Sequence, residues 1–256
     1  MSALTAVDVV KQYGEARDVR ALDQISFTVD DSEFVVIVGP SGCGKSTLLR
    51  LFAGLIEPTS GDVLYDNESV TGPSRERAMV FQEFNLFPWR TVIKNVTFGL
   101  EMAGVDHSEC HERADEALSL VGLTDDAERY PDALSGGMRQ RVGLARALAV
   151  EPGVLLMDEP FGALDARTRA TLQRELLSIH SREQTTVLFV THDIDEALLL
   201  ADRVLVMVDD PNRIADQINI PFDRPRDSHT LETSSTFIEL KRRVRTTFED
   251  STAAIS

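Results

Sequence analysis

The sequence predicts an α/β fold with a mainly parallel core sheet, an N-terminal antiparallel β subdomain and an inserted helical subdomain. Three observations carry that expectation. The runs at 34–38, 154–157, 186–190 and 204–208 are short, apolar and rich in valine, leucine and isoleucine, as strands buried on both faces are. The first of them runs straight into a glycine-rich loop that opens a helix. From about 91 to 150 the pattern changes to helical spacing, which reads as a lobe set into the α/β frame.

Taken in order, residues 4–10 and 21–29 carry short, partly alternating apolar patterns that predict antiparallel strands, with Tyr13 between them. Strand 34–38 leads into Gly39-Pro40-Ser41-Gly42-Cys43-Gly44-Lys45-Ser46-Thr47, and the helix that follows is expected to stop at Gly54. A turn at 58–61 precedes a strand at 61–65. Residues 78–81 form a short apolar run that places Gln82 at a strand end, where α/β sheets hold ligands. In the lobe, Ala114, Ala117, Leu118 and Val121 mark a helix over 108–121. The lobe closes on Leu134-Ser135-Gly136-Gly137-Met138-Arg139-Gln140 and a second helix. Ser135 is placed as its cap, and Gly136 and Gly137 free backbone N–H groups for an anion. Strand 154–157 ends at Asp158-Glu159, and strand 186–190 is followed by Thr191-His192-Asp193. Strands alternating with helices imply parallel pairing. From Asp209 onward the chain turns polar and proline-bearing, with a short helix at 236–246 and a frayed end at 249–256.

The 256 residues, 43% hydrophobic, can bury a substantial core. Cys43 and Cys110 cannot build a disulfide framework, and the lack of a signal peptide points to a reducing cytosol. No apolar run reaches the roughly 18 residues of a membrane span. A formal charge of -16 argues against a nucleic-acid surface. Lysine occurs only at Lys11, Lys45, Lys94 and Lys241, the other basic residues being arginine. Acid-rich, lysine-poor composition fits a halophilic, salt-adapted cytosolic protein, beside the plainer reading of an ordinary acidic enzyme.

Gly39, Gly44, Lys45 and Ser46 match G-x-x-x-x-G-K-[ST], whose backbone N–H groups wrap a phosphate chain at a helix N-terminus. Lys45 would reach the β- and γ-phosphates and the Ser46 hydroxyl would bind Mg²⁺. Gly42 and Gly44 are needed where a Cβ would block the loop's φ values or the approach of phosphate. A glycine-rich turn matching by chance is the alternative, and the buried strand before the loop and helix after it favour phosphate binding. Cys43, at a variable loop position, reads as a small filler. Asp158 and Glu159, adjacent carboxylates at a strand tip, are costly unless a cation is present.

Together, the phosphate loop, Gln82, residues 134–140, Asp158-Glu159, Ala163-Leu164-Asp165 and His192 follow the order and spacing of the ATP-binding subunits of ABC transporters, which this chain resembles over nearly its whole length. The Leu-Ser-Gly-Gly-x-x-Gln stretch is the most specific part, since the phosphate loop alone leaves kinases, GTPases and helicases open. The resemblance implies a P-loop ATPase whose core and antiparallel subdomain occupy 1–90 and 151–210. The signature-bearing helical subdomain then occupies 91–150, and a C-terminal extension 211–256. It implies that Tyr13 stacks on adenine, although one loop tyrosine can also be merely structural. Asp158 would hold Mg²⁺, Glu159 would polarise the attacking water, and Gln82 would touch Mg²⁺ and that water. His192 would contact the γ-phosphate, a lone histidine being otherwise more often structural.

In this family Ser135, Gly136 and Gly137 bind the γ-phosphate held by a second copy, and Asp165 lies at that interface. A head-to-tail homodimer sandwiching two ATP molecules is thus implied, with a membrane permease and, through it, a solute-binding protein as partners. Phe87-Pro88-Trp89-Arg90-Thr91-Val92, 160–165, 195–197 and 200–204 resemble the nitrate, sulfonate and taurine importers. Phe87 and Trp89 would then flank a groove for a permease helix, or else be core aromatics. An importer for another solute, a soluble ABC-type ATPase and a non-hydrolysing regulatory module are the alternatives; Glu159 opposes the last. With its end soon after 250, the chain is expected to lack the extra regulatory β-domain found on sugar and polyamine importers.

Overall fold

The computed structural model describes residues 2–14, 19–162, 164–209, 212–226, 231 and 233–253. The chain divides into two compact units, Met1–Pro73 with Thr186–Ser256, and Ser74–Thr185. In the first unit, strand β3 (Phe34–Val38) has every residue buried, as its unbroken apolar run requires. It pairs in parallel with β8 (Thr186–Thr191), Val38 opposite Thr191, and with β9 (Arg203–Val208), Val38 opposite Val206. Helix α6 (Ile194–Leu200) makes the crossover from β8 to β9. Strand β10 (Arg213–Asn219) adds antiparallel to β9. Helix α1 (Lys45–Phe52) begins inside the glycine-rich loop, and Gly54, at φ 72, follows its end.

The same unit holds the expected antiparallel sheet, in the order β2-β1-β4-β5. Its strands are β1 (Ser2–Tyr13), β2 (Val19–Asp30), β4 (Ser60–Tyr65) and β5 (Glu68–Ser69). Gly61 has φ 81, and a Cβ there would collide with the Asp8 carbonyl, so the turn into β4 requires glycine.

Two features of the C-terminal region differ from expectation. The polar stretch after Asp209 contains β10, whose side chains alternate between exposed and half-buried until Ile218; a strand with one wet face has no apolar run to announce it. Helix α7 (Ser235–Ala253) runs well past 246, so the frayed end expected from 249 is helical through Ala253, and residues 254–256 lie outside the described residues. Phe237 and Val244, seven positions apart on one face, are buried and hold it to the unit.

In the second unit, β6 (Arg77–Val80) and β7 (Val154–Asp158) pair in parallel with Val80 opposite Met157. Helices α2 (Val92–Met102), α3 (His107–Leu120) and α4 (Gly136–Leu148) pack on one another through Val96, Leu100, Ala114, Leu118, Val142 and Ala145. Helix α5 (Ala166–Glu183) follows β7. Among the described residues no helix is long and apolar enough to cross a membrane.

Candidate functional site

The parallel registers fix where the chemistry-bearing residues fall. In the first unit β3 and β8 end side by side, so Gly39 and His192 leave the sheet from the same edge. In the second unit β6 and β7 end together, which places Gln82 and the Asp158–Glu159 pair at one edge. Both are carboxyl edges of parallel strands, the edge at which α/β sheets take ligands.

The phosphate loop is built from backbone constraints. Gly42 and Gly44 sit at φ 92 and 97, in the left-handed region. A Cβ at Gly44 would strike the Ala21 carbonyl of β2, whereas a Cβ at Gly42 would meet nothing within 4 Å. Gly44 is therefore packed, whereas Gly42 is exposed, with open space where a Cβ would stand. Lys45 is buried and curls back, donating 2.9 Å hydrogen bonds to the Gly39 and Pro40 carbonyls. Its ammonium is thus held against the loop's own carbonyls and brings positive charge to the loop. Ser41 is exposed, and Ser46 and Thr47 are half-buried at the start of α1. Cys43 is fully buried, and burial pushes its thiol pKa up against the pull of Lys45, which suits the filler expected of it and not a nucleophile. Tyr13, at the end of β1, is 38% exposed, and Lys11 Nζ stands 5.2 Å from its ring centre. His192 is exposed and stands just before Asp193, the cap of α6.

In the second unit Asp158 is buried at the tip of β7 and Glu159 follows it at φ 42, a left-handed conformation for a residue with a Cβ. Such a conformation costs roughly 1–3 kcal/mol and persists where the surroundings impose it, most often at functional positions. Gln82 is exposed just beyond β6. Ser135 caps α4, its side chain accepting a bond from Met138 N–H at 3.3 Å. The two glycines behind it differ: a Cβ at Gly136 would meet nothing within 4 Å, while one at Gly137 would stand 2.5 Å from Thr168 Cγ2. Thr168 is in turn held by Asp165, the cap of α5, through its N–H at 3.1 Å and its hydroxyl at 2.7 Å. These bonds also lower the Asp165 pKa. The signature turn and Asp165 therefore form one packed assembly. Ala163 lies outside the described residues.

Two organising residues escaped the sequence reading. Arg146 of α4 donates to the Asn85 carbonyl at 2.8 Å and the Phe84 carbonyl at 3.2 Å, tying the segment after Gln82 to the signature helix. Asn95, fully buried on α2, accepts from Phe87 N–H at 2.8 Å and donates to the carbonyls of Phe87, Arg90 and Thr91. It shapes the loop that presents Trp89, which is 72% exposed against Phe87, 5.5 Å between ring centres. Trp89 is thus a surface ring and not a core one. The signal was a polar residue inside an apolar helical stripe, arginine between Ala145 and Ala147 and asparagine beside Val96.

Residues 22–162 match the family model described as ABC transporter. The chain is 47% identical to a taurine import ATP-binding protein of Rhizobium johnstonii, over 91% of this chain and 90% of that one. It is 45% identical to a nitrate import ATP-binding protein of Synechococcus elongatus, over 86% and 82%. It is 44% identical to a bicarbonate transport ATP-binding protein of Synechocystis sp., over 93% and 86%. Among solved structures, the dimeric post-hydrolysis state of an ATP-binding cassette bound to ADP and Pi superposes with a TM-score of 0.77 at 32% identity, covering 86% of this chain and all of that one.

Proposed function

This chain belongs to the ABC transporter family and is one of its ATPases, and from that premise we propose that it powers uptake of a small anion such as nitrate, a sulfonate, taurine or bicarbonate. The observation that carries nucleotide chemistry is the glycine-rich loop, with open space at the Gly42 Cβ position and the Lys45 ammonium held on the Gly39 and Pro40 carbonyls. In this reading Gly39 to Thr47 hold the ATP phosphates and Tyr13 takes the adenine. Ser46, Gln82 and Asp158 would hold Mg²⁺: hydroxyl, amide and carboxylate oxygens are the hard donors Mg²⁺ prefers. No cluster of three His, Cys, Asp or Glu occurs among the described residues, and Mg²⁺ needs none, since it keeps waters and substrate phosphate oxygens as ligands. The ion supplies charge neutralisation on the transferring phosphoryl group. Glu159 accepts a proton from the attacking water, and His192 positions the γ-phosphate.

The active form in this proposal is a head-to-tail homodimer in which Ser135, Gly136 and Gly137 of one copy close over ATP held by the other, with Asp165 beside them. The dimeric relative supports a dimer as the nucleotide-binding form. The helical subdomain would span 91–150, with 211–256 as a C-terminal extension of the ATPase core. Trp89 and Phe87 would receive a helix of a membrane permease at the cytoplasmic face, the permease in turn taking solute from a binding protein. The test is ATP turnover by the chain reconstituted with its permease, with nitrate, taurine and bicarbonate compared as stimulants. In the same assay Lys45→Ala is expected to weaken ATP binding at least about tenfold, by loss of a charge-assisted phosphate contact; wild-type affinity would remove the loop from the site.

The acidic composition belongs to the proposal as well. At a net charge of -16 self-repulsion is strong, so the melting temperature is expected to rise with KCl as screening increases. A melting temperature flat between low and molar KCl would leave an ordinary acidic protein.

A further inference from the structure

Helix α6 is seven residues long and starts two positions after His192. A helix this short has little stability of its own, so tertiary contacts decide where it sits. Residues 224–226 and helix α7 supply contacts at its two ends. At the C-terminal end, Arg226 donates to the carbonyls of Leu199 at 3.0 Å and Ala201 at 2.6 Å, while its other nitrogens bond the Phe222 carbonyl of its own segment. Arg224 donates to the Leu200 carbonyl at 2.7 Å and pairs with Asp202 at 2.8 Å. These are carbonyls that a helix end leaves without partners along the helix, and cations there complement its dipole. The Arg226 side chain is 1% exposed, and burial, with Arg224 beside it, lowers its pKa to about 10.

At the N-terminal end, Lys241 of α7 bridges both carboxylate oxygens of Asp195, at 2.6 and 2.7 Å. Lys241 is not a loose surface lysine: it stands between the buried Phe237 and Val244 on the same face of α7, and Phe237 packs 6.3 Å from Phe222. Asp195 lies in the first turn of α6. That turn is capped by Asp193, which accepts from Asp195 and Glu196 N–H at 2.9 and 3.2 Å. Asp193 N–H donates to Thr191 Oγ1 at 3.0 Å, so residues on both sides of His192 are tied together. A displacement of the first turn of α6 is thereby passed to the histidine.

We propose that residues 220–226 and helix α7 brace α6 and so set the position of His192, with Arg224 and Arg226 as the anchor and Lys241 as a positioning residue for ATP hydrolysis. This rests on the reading of His192 as a γ-phosphate contact, and the two ideas fail separately. Lys241→Met in the full chain is expected to lower kcat for ATP about fivefold with KM unchanged, because a small misplacement of a group acting in the transition state costs rate and not binding. Lys241→Arg is expected to restore it. In histidine-labelled protein the His192 ring resonance, identified among the five histidines by its loss in His192→Ala, moves in Lys241→Met and returns in Lys241→Arg. A kcat within about twofold of wild type, or an unmoved His192 resonance, overturns the brace. Should Lys241→Met precipitate, Lys241→Gln is judged by the same two outcomes. Full turnover in His192→Ala would remove His192 from the reaction, leaving the resonance shift to decide the brace by itself.

Discussion

Glu159→Gln is expected to lower ATP turnover by about 10²–10⁴-fold, the range for loss of a positioned general base, while ATP binding is retained. Gln keeps the length of the side chain and its hydrogen-bonding reach but cannot accept a proton from water. Because ATP stays intact, the variant is expected to accumulate as a nucleotide-bound dimer, visible by size-exclusion chromatography with ATP and absent with ADP. The backbone sharpens the prediction. Glu159 sits at φ 42, where any residue with a Cβ is strained, so Glu159→Gln leaves that strain in place and is expected to melt with the wild type. Glu159→Gly relieves it and is expected to melt higher, by the few degrees that correspond to about 1 kcal/mol in a domain of this size, with no turnover. Unchanged turnover in Glu159→Gln would remove this carboxylate from the mechanism. A Glu159→Gly variant less stable than wild type would show that contacts of the side chain outweigh the strain of its backbone.

That strain marks a boundary of what the sequence conveys. The apolar runs of β3, β7, β8 and β9 were legible because strands buried on both faces need uninterrupted hydrophobic residues, and the glycine loop because its φ values exclude other residues. The Ser135 cap was legible for the same local reason. Edge strand β10 was not, since one side of it faces solvent and its polar residues resemble a loop. The left-handed Glu159 was not, because glutamate carries no preference for that region and only tertiary contacts impose it. Asn95 and Arg146 were missed for a third reason: their partners are backbone carbonyls and N–H groups, which every residue type has, so no second side chain in the sequence points to the bond. The Arg226 bonds to the Leu199 and Ala201 carbonyls are of this kind too, while Lys241 and Arg224 pair with carboxylates 46 and 22 residues away, which no local pattern links to them.

The loop glycines separate folding from binding. Gly44→Ala is expected to destabilise the protein by several kcal/mol, since its Cβ would strike the Ala21 carbonyl of β2 and the Leu22 side chain while the backbone stays at φ 97. A main-chain oxygen in a paired strand cannot step aside cheaply, so the collision is paid for by moving β2 or the loop. Gly42→Ala carries a similar φ penalty, about 1 kcal/mol for a non-glycine residue in that region, but its Cβ meets no protein atom within 4 Å. It is expected to fold with a melting temperature lowered by only a few degrees. Its loss should appear in nucleotide affinity, because the added methyl would project into the open space that a phosphate chain held by this loop would occupy. Thermal melts of both variants with and without ATP decide the matter: Gly44→Ala low in both, Gly42→Ala near wild type without ATP and lacking the stabilisation that the wild type gains from it. If Gly42→Ala gains the full ATP-dependent shift, the phosphates do not lie against this face of the loop, and the assignment of residues 39–47 must rest on Lys45 and the remaining N–H groups.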